Sequence, residues 1–261
     1  MKSIFDTHAH YDDKAFDEDR ESLLASLKSN NIMGVVNVCA ALSDIEPTLE
    51  LIEKYDFIYG AMGLHPQETG DITYKEIELI KEKSMHPKIV AVGEIGLDYH
   101  WDEPESSIQK KWFEAQLEVA KEIDKPVIIH SRDAAADTYD IMKALDAGKV
   151  GGVVHCFSYS KEMAAKYLDM DFYIGIGGVV TFDNAKKLKE VVEYIPLERI
   201  VLETDAPYLA PKPHRGTRNS SLNLPYVVSA IAELKKVSKE TVLEATWDNA
   251  VKMYHLSDMG M

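Results

Sequence analysis

The sequence has only two cysteines, no long apolar run and few basic residues for its length. Cys39 and Cys156 lie far apart and neither belongs to a Cys-x-x-Cys pair, which excludes a disulfide framework and predicts two reduced, mostly buried thiols. No apolar run reaches the ~18 residues that a membrane helix needs. The amino end lacks the apolar stretch and cleavage site of a signal peptide, so we expect a cytoplasmic protein that does not contact a membrane.

The charge balance argues against a general affinity for nucleic acid. The chain carries 29 basic and 44 acidic residues, a formal net charge of −15, which excludes a protein that coats phosphate backbones non-specifically. One stretch differs, because no acid occurs between Asp205 and Glu233. Basic and imidazole side chains crowd into seven residues there, namely Lys212, His214, Arg215 and Arg218. The residues alone leave two interpretations open, a solvated loop or a local phosphate site.

Apolar runs of strand length alternate with longer segments of helical period. The runs are apolar throughout, which is typical of parallel strands covered on both faces. Eight such runs occur, at residues 3–6, 34–38, 57–62, 89–93, 127–129, 152–154, 172–176 and 200–202. Segments with apolar residues three and four apart include residues 16–29, 45–55, 107–123, 135–145, 184–194, 222–237 and 239–254.

This alternation predicts the fold class and the domain organisation. Eight strands, each followed by a helix, indicate an α/β fold, a single (βα)8 TIM barrel over residues 1–261 with an additional C-terminal helix. Ser238 is the expected N-cap of that last helix. Periodicity does not distinguish a closed parallel sheet from an open one, so a doubly wound sheet remains the alternative. Both architectures bind ligands at the carboxyl ends of the strands.

Imidazole and carboxylate side chains stand at the end of almost every predicted strand. They are His8, His10, His65, Glu94, His130, His155 and Asp205. A lone histidine in such a position is more often structural than functional, and a His-x-His pair by itself is weak evidence. A barrel, however, gathers its strand ends around one axis, and the joint placement therefore predicts a metal site.

The types of side chain indicate what the site would bind. His8 and His10 share a face of an extended strand and can chelate one ion. Nitrogen and carboxylate ligands without thiolates suit Zn²⁺, Mn²⁺ or Mg²⁺. Four histidines and two carboxylates are too many for one open catalytic ion and about right for two, with Glu94 as the bridge. The alternative for Glu94 is a structural salt bridge, which the lack of cations nearby disfavours.

Five segments carry a resemblance to a known family. They are FDTHAH at residues 5–10, GEIGLDY at 93–99, HSRDA at 130–134, HCF at 155–157 and ETDAPYL at 203–209. In order and spacing they resemble the TatD family of metal-dependent deoxyribonucleases, from residue 5 to about residue 219. The resemblance implies a TIM-barrel hydrolase of the amidohydrolase superfamily that cleaves phosphodiesters in DNA, with 3′-to-5′ exonuclease character and two divalent ions.

The resemblance also implies roles for single residues. One ion would be held by His8, His10, Glu94 and Asp205, and the other by Glu94, His130 and His155. Glu94 and Asp205 would be the catalytic residues, and Asp205 would orient or deprotonate the attacking water. The predicted substrate contacts are His65, Arg132, His214 and Arg215.

Several points stay open at this level. The sequence departs from the family pattern after Asn219, which is followed by Ser220 and Ser221 rather than by Glu-Pro. Tyr99 and Trp101 either stack on a base or fill the mouth of the barrel. Two other functions remain, hydrolysis of an ester or amide, as by an aminoacyl-tRNA deacylase, and metal-dependent binding without catalysis. The expected partner is DNA or another phosphodiester substrate, with no obligate protein partner.

Overall fold

Eight parallel strands form one sheet in which each strand pairs with the next along the chain. The computed structural model describes residues 3–259. The strands are β1 (Ile4–Ala9), β2 (Ile32–Val38), β3 (Ile58–Met62), β4 (Ile89–Asp98), β5 (Val127–Arg132), β6 (Gly152–Val154), β7 (Tyr173–Ile176) and β8 (Ile200–Leu202). All eight predicted strands are confirmed, with ends that differ by a few residues.

The first and last strands meet and close the sheet. Ala9 forms a parallel bridge with Ala206, and the His10 N–H donates to the Ala206 carbonyl at 2.8 Å. The Asp205 N–H donates to the His8 carbonyl at 3.0 Å. These contacts make a barrel and rule out the open doubly wound sheet. They also bring the segment after β8 next to the end of β1.

Helices alternate with the strands and pack around the barrel. They are α1 (Arg20–Leu27), α2 (Ile45–Lys54), α3 (Tyr74–Ser84), α4 (Ser106–Glu122), α5 (Ala135–Ala144), α6 (Lys161–Leu168), α7 (Lys186–Tyr194), α8 (Leu224–Lys235) and α9 (Lys239–Met253). The first is shorter than the predicted 16–29, because 3₁₀ turns at Lys14–Phe16 and Lys28–Asn30 flank it. Within residues 3–259, none of the helices has both the length and the apolar character needed to cross a bilayer.

The apolar core has two layers, and α9 seals one end of the inner layer. The outer layer lies between strands and helices, whereas the inner layer takes residues from all eight strands and from α9, which only the interior of the barrel can bring together. Ser238 caps α9 as predicted, since its Oγ accepts the Thr241 N–H at 3.1 Å. Beyond α9, the Tyr254 hydroxyl donates to the Thr7 carbonyl at 2.9 Å. The carboxyl ends of the strands form the opposite, open end.

Strand β4 is longer than its apolar run. The sequence predicted an end near residue 93, but β4 continues to pair with β5 through Gly96 opposite His130 and Asp98 opposite Arg132. Glu94 therefore lies inside the strand rather than after it. Because alternate residues of a strand share a face, Glu94 and Asp98 face the same side.

We expect Gly96→Ala to destabilise the protein strongly. Gly96 has a φ of +147°, and a Cβ there would lie 1.9 Å from the His130 carbonyl oxygen, so β4 and β5 would have to separate. Gly151→Ala is the control, because Gly151 has a φ of +65° but its Cβ would meet nothing within 4 Å. Urea denaturation should give a loss of about 1–2 kcal/mol for Gly151→Ala and at least about 3 kcal/mol for Gly96→Ala. Equal losses would contradict the steric explanation.

Candidate metal centre

His8, in β1, and His10, just after it, have their Nε2 atoms close together. His8 Nε2 and His10 Nε2 are 3.1 Å apart at the open end of the barrel. The Nδ1 of His10 lies 2.7 Å from the Val38 carbonyl, which can only accept, so this nitrogen carries the proton. Nε2 is therefore the nitrogen of His10 that faces the site, and it can bind a metal ion once it has lost its proton.

A second pair of imidazoles stands across from the first. His130, in β5, and His155, just after β6, approach with His130 Nδ1 3.3 Å from His155 Nε2. The other ring nitrogen of His130 donates to the Asp98 carboxylate at 3.1 Å. A carboxylate behind a histidine fixes the ring and its tautomer, and here it leaves Nδ1 to face the site.

Glu94 lies between the two pairs and is almost completely buried. Its Oε2 is 3.3 Å from His8 Nε2 and 3.8 Å from His10 Nε2. Its Oε1 is 2.7 Å from both His130 Nδ1 and His155 Nε2. Each carboxylate oxygen thus faces a different pair of imidazole nitrogens.

Asp205 completes the group from the segment that follows β8. Its Oδ1 is 3.6 Å from His10 Nε2 and 3.8 Å from His8 Nε2. The backbone bond from Asp205 to the His8 carbonyl, which closes the barrel, holds it in place. The structure therefore brings together all six residues that the sequence predicted as metal ligands.

The donor set suits divalent cations. The ligand atoms of His8, His10 and Glu94 lie within 4.8 Å of one another, and so do those of Glu94, His130 and His155. Imidazole nitrogens and carboxylate oxygens are ligands for Zn²⁺ and Mn²⁺. Two further groups of ligand atoms lie equally close together: one is His8, His155 and Asp205, and the other is His65, Asp98 and His130. In the group of His65, Asp98 and His130, however, Asp98 already accepts hydrogen bonds from His130 and from the His100 N–H. We therefore infer that Asp98 holds the His130 ring in place and does not bind a metal ion.

Both carboxylates of the centre are held in the anionic form. Burial alone would raise the pKa of Glu94, but the charges of His155 and His8 bring it well below its usual value. Burial acts in the same direction on Asp205, whose pKa is nevertheless lowered by its contact with His10. The centre thus contains two negative charges at neutral pH.

The pKa values of the imidazoles are shifted in different directions. Burial opposes protonation of His10 and His155, yet their carboxylate neighbours Asp205 and Glu94 raise the pKa values to about 10 and about 9. Burial and the charge of His155 lower the pKa of His8 to about 4. The centre therefore holds protons at neutral pH that a cation bound by the same nitrogens would displace.

Asp6 ties β1 to the segment after β8, a role that the sequence analysis did not assign. Its carboxylate accepts bonds of 2.6–3.3 Å from the His8 N–H, from the N–H and hydroxyl of Thr204, and from the Ser221 hydroxyl. Complete burial raises its pKa to about 6. Ser221 stands where the sequence departs from the family pattern. The signal for Asp6 was its position two residues before His8, in the segment that carries the first two predicted ligands.

His65 lies at the rim of the centre. Its Nε2 is 4.0 Å from Glu94 Oε1, and its Nδ1 accepts the Gln67 N–H at 3.2 Å. An Nδ1 that accepts leaves the proton on Nε2, so His65 presents a donor to the site. Burial and the charge of His130 lower the pKa of His65 to about 4, which keeps the ring neutral.

Of the other predicted substrate contacts, Arg132 and Arg215 are exposed and His214 is half-buried. Arg132, at the end of β5, makes no side-chain hydrogen bond or ion pair with the rest of residues 3–259, and its charge acts on Cys156. His214 packs against Tyr226, with its Nε2 3.2 Å from the Tyr226 hydroxyl. Arg215 stacks over Phe182 at 4.5 Å.

The basic loop is less positive than its sequence predicts. Lys212 forms an ion pair with Asp183, and Arg218 pairs with Asp19 at 2.6 Å. The loop has no acid of its own, but the fold brings acids to it from distant parts of the chain. The expected local positive field is therefore partly neutralised.

The two aromatic residues after β4 differ in their surroundings. The Tyr99 hydroxyl donates to Asp137 at 2.7 Å, which holds this ring in the wall of the barrel mouth. Trp101 is 54% exposed, and its ring lies nearly perpendicular to that of His100 with the centroids 4.9 Å apart. Trp101 is thus the one of the two that is free to contact a ligand.

Comparisons with known proteins identify the family of this chain. A family model, TatD related DNase, matches residues 5–255. The uncharacterized metal-dependent hydrolase YabD of Bacillus subtilis (strain 168) is 44% identical over 254 residues, covering 97% of this chain and 100% of that protein. The crystal structure of YjjV, a TatD homolog from Escherichia coli K12, gives a TM-score of 0.91 at 30% identity and covers 97% of this chain and 98% of YjjV. The chain therefore belongs to the TatD-related DNase family of metal-dependent hydrolases.

Proposed function

We propose that the protein hydrolyses phosphodiester bonds in DNA, with 3′-to-5′ exonuclease character, and uses two divalent ions held in the metal centre. The observation that carries the proposal is the position of Glu94, whose two carboxylate oxygens face separate pairs of histidine nitrogens. Pairs of ions a few ångströms apart are typical of enzymes that displace phosphate oxygens in line. The family name adds support for DNA as the substrate.

The ligands of the two ions follow from the two sets of converging atoms. One set is His8, His10 and Glu94, with Asp205 Oδ1 at 3.6–3.8 Å from the two histidines, and the other is Glu94, His130 and His155. Ions bound there would polarise a phosphate and lower the pKa of a water molecule. The Val38 carbonyl and the Asp98 carboxylate, each bound to the far side of an imidazole, keep the ligand nitrogens aimed at the ions.

Asp205 is our candidate for the proton acceptor. Its lowered pKa keeps it anionic at neutral pH, and its side chain is 18% exposed whereas that of Glu94 is 5% exposed. It can therefore reach a water molecule that enters from the mouth. General bases in such positions typically accelerate a reaction by ~10²–10⁴-fold.

Neutral and cationic donors around the centre would bind the phosphate. The protonated Nε2 of His65 lies 4.0 Å from Glu94 and can donate to a phosphate oxygen. The unpaired guanidinium of Arg132 has the fork geometry that matches two phosphate oxygens. His214 and Arg215 would contact the more distant parts of the backbone.

The first test is a substrate panel. Protein stripped of metal and reloaded with Mg²⁺, Mn²⁺ or Zn²⁺ should cleave single-stranded DNA from its 3′ end, and chelation should abolish the activity. Duplex DNA should be a poorer substrate, because the net charge of −15 opposes the approach of a long, highly charged molecule. A simple phosphodiester and an aminoacyl ester are the comparisons. Preference for the aminoacyl ester would contradict the proposal and favour a deacylase, whereas metal binding without turnover on any substrate would favour a binding module.

We expect Asp205→Asn to lower kcat by at least ~100-fold, because the amide cannot accept the proton. The thermal unfolding midpoint should stay close to that of the unchanged protein, since Asp205 is held mainly through its backbone N–H. Asp140→Asn, an exposed acid on α5, is the matched control and should leave kcat unchanged. Normal nuclease activity in Asp205→Asn would show that another group accepts the proton.

Metal affinity should rise with pH. His10 and His155, with pKa values of about 10 and about 9, are protonated at neutral pH and must lose these protons to bind an ion. The association constant should therefore increase up to tenfold per pH unit for each proton displaced, between about pH 6 and pH 8.5. Calorimetry in buffers of different ionisation enthalpy would count the protons released, and the same titration should give two ions per chain. An affinity independent of pH would contradict the assignment of these ligands.

A further inference from the structure

A cavity of about 320 Å³ opens beside Asp205, on the flank of the metal centre. It lies between the segments that follow β7 and β8 and the beginning of α7, and it is lined by Gly177, Glu203 and Asp205 among others. Its volume falls at the lower end of the ~300–1,000 Å³ that is usual for small-molecule sites. None of the roles assigned above uses this space.

The cavity walls are largely apolar. They include the side chains of Phe157, Val179, Leu188 and Leu209, with the backbones of Gly175, Gly177 and Gly178 between them. Apolar walls of this kind take up the hydrophobic faces of a ligand, and a few polar groups fix its orientation. A ring system of modest size would fit this description.

One polar group in the cavity lining lacks a partner. Glu203 is 1% exposed, and its Oε1 accepts the Cys156 N–H at 2.5 Å. Its Oε2 is buried without any hydrogen-bond partner in the part of the chain that the structure describes. Because buried polar atoms are rarely left unsatisfied, this oxygen points to a ligand that brings a polar edge into the cavity.

The rim of the cavity is positively charged. Lys186 and Lys187 are the first two residues of α7, both are exposed, and neither forms an ion pair within residues 3–259. Ala185, at the N-cap, offers no side-chain bond to the free N–H groups of the helix. Cations at a helix N-terminus are unfavourable unless an anion lies between them and the helix dipole. In a chain of net charge −15, two adjacent unpaired lysines at this end therefore suit an anionic ligand.

We propose that the cavity binds the nucleoside adjacent to the cleaved phosphodiester. The base would lie against the apolar walls with a polar edge at Glu203 Oε2, and the next phosphate would lie at Lys186 and Lys187. Asp205 borders both the cavity and the metal centre, so a nucleoside seated here places its phosphate next to the ions. This proposal rests on the proposed function, because it assigns a place to one part of that substrate.

The test compares two ligands that differ only in the base, deoxyadenosine 5′-monophosphate and 2-deoxyribose 5-phosphate. We expect the full-length protein to bind the nucleotide at least 10-fold more tightly by calorimetry, and Asn184→Trp to abolish this preference. Asn184 is an exposed residue of the cavity wall, so the larger side chain fills the space without disturbing the core. Both ligands should bind Asn184→Trp with the affinity of the sugar phosphate.

Charge reversal provides an independent second variant. Lys186→Glu combined with Lys187→Glu should weaken binding of the dinucleotide pdApdA at least 10-fold. Lys239→Glu is the matched control, because Lys239 is also the first residue of a helix but lies beside Ile4, at the sealed end of the barrel. It should leave every affinity unchanged.

The outcomes separate this proposal from the proposed function. Equal affinity for nucleotide and sugar phosphate in the unchanged protein, or a preference that survives in a folded Asn184→Trp, would overturn the cavity as a nucleoside site. Preference for the nucleotide in a protein that hydrolyses no phosphodiester would retain the cavity assignment and reject the hydrolytic function. Nuclease activity in a protein that binds both ligands equally would retain the hydrolytic function and reject the cavity assignment.

Discussion

The metal centre depends on the buried carboxylate of Glu94. Its two oxygens lie among imidazoles from β1, β5 and the segment after β6, at 2.7–3.8 Å. A carboxylate buried in this way is costly unless it is paired, and four close imidazoles that share protons would repel one another without it. Neither set of side chains would be stable in this place alone. The imidazoles lower the pKa of Glu94, and Glu94 in turn raises the pKa values of His10 and His155.

The barrel supplies the positions that this arrangement needs. Its closure brings Asp205 to His8 through a backbone bond, and the Asp6 carboxylate joins β1 to Thr204 and Ser221. Groups that act on one substrate have to be held within about half an ångström of the productive geometry, which rigid strands and buried hydrogen bonds achieve better than loops do. The strand ends provide the predicted ligands, whereas the supporting hydrogen bonds come from neighbouring residues such as Asp6, Thr204 and Ser221.

Much of the fold, and the convergence of the residues in the candidate centre, could be predicted from the sequence, for identifiable reasons. The uniformly apolar strand runs and the residues that follow them are local signals, and the barrel then gathers these residues around one axis. The length of β4 escaped this reasoning because Glu94, Gly96 and Asp98 interrupt the apolar pattern while the ladder with β5 continues. Polar residues inside a strand often belong to a functional site. They also interrupt the apolar pattern, so the pattern alone underestimates the length of the strand.

Features that depend on contacts between residues far apart in the sequence could not be predicted from local patterns. The acid-free stretch around Arg218 predicted a positive loop, but Asp19 and Asp183 reach it from other parts of the chain. The support of His130 by Asp98 and the unpartnered oxygen of Glu203 likewise exist only in three dimensions.

Packing by α9 determines how a ligand can reach the centre. The side chains of the inner layer fill the barrel and α9 covers them at one end, so the barrel is closed at that end. A molecule that reaches the candidate centre therefore has to enter and leave through the open end, and the polymer of the proposed function would have to present either a free end or a sharp bend there.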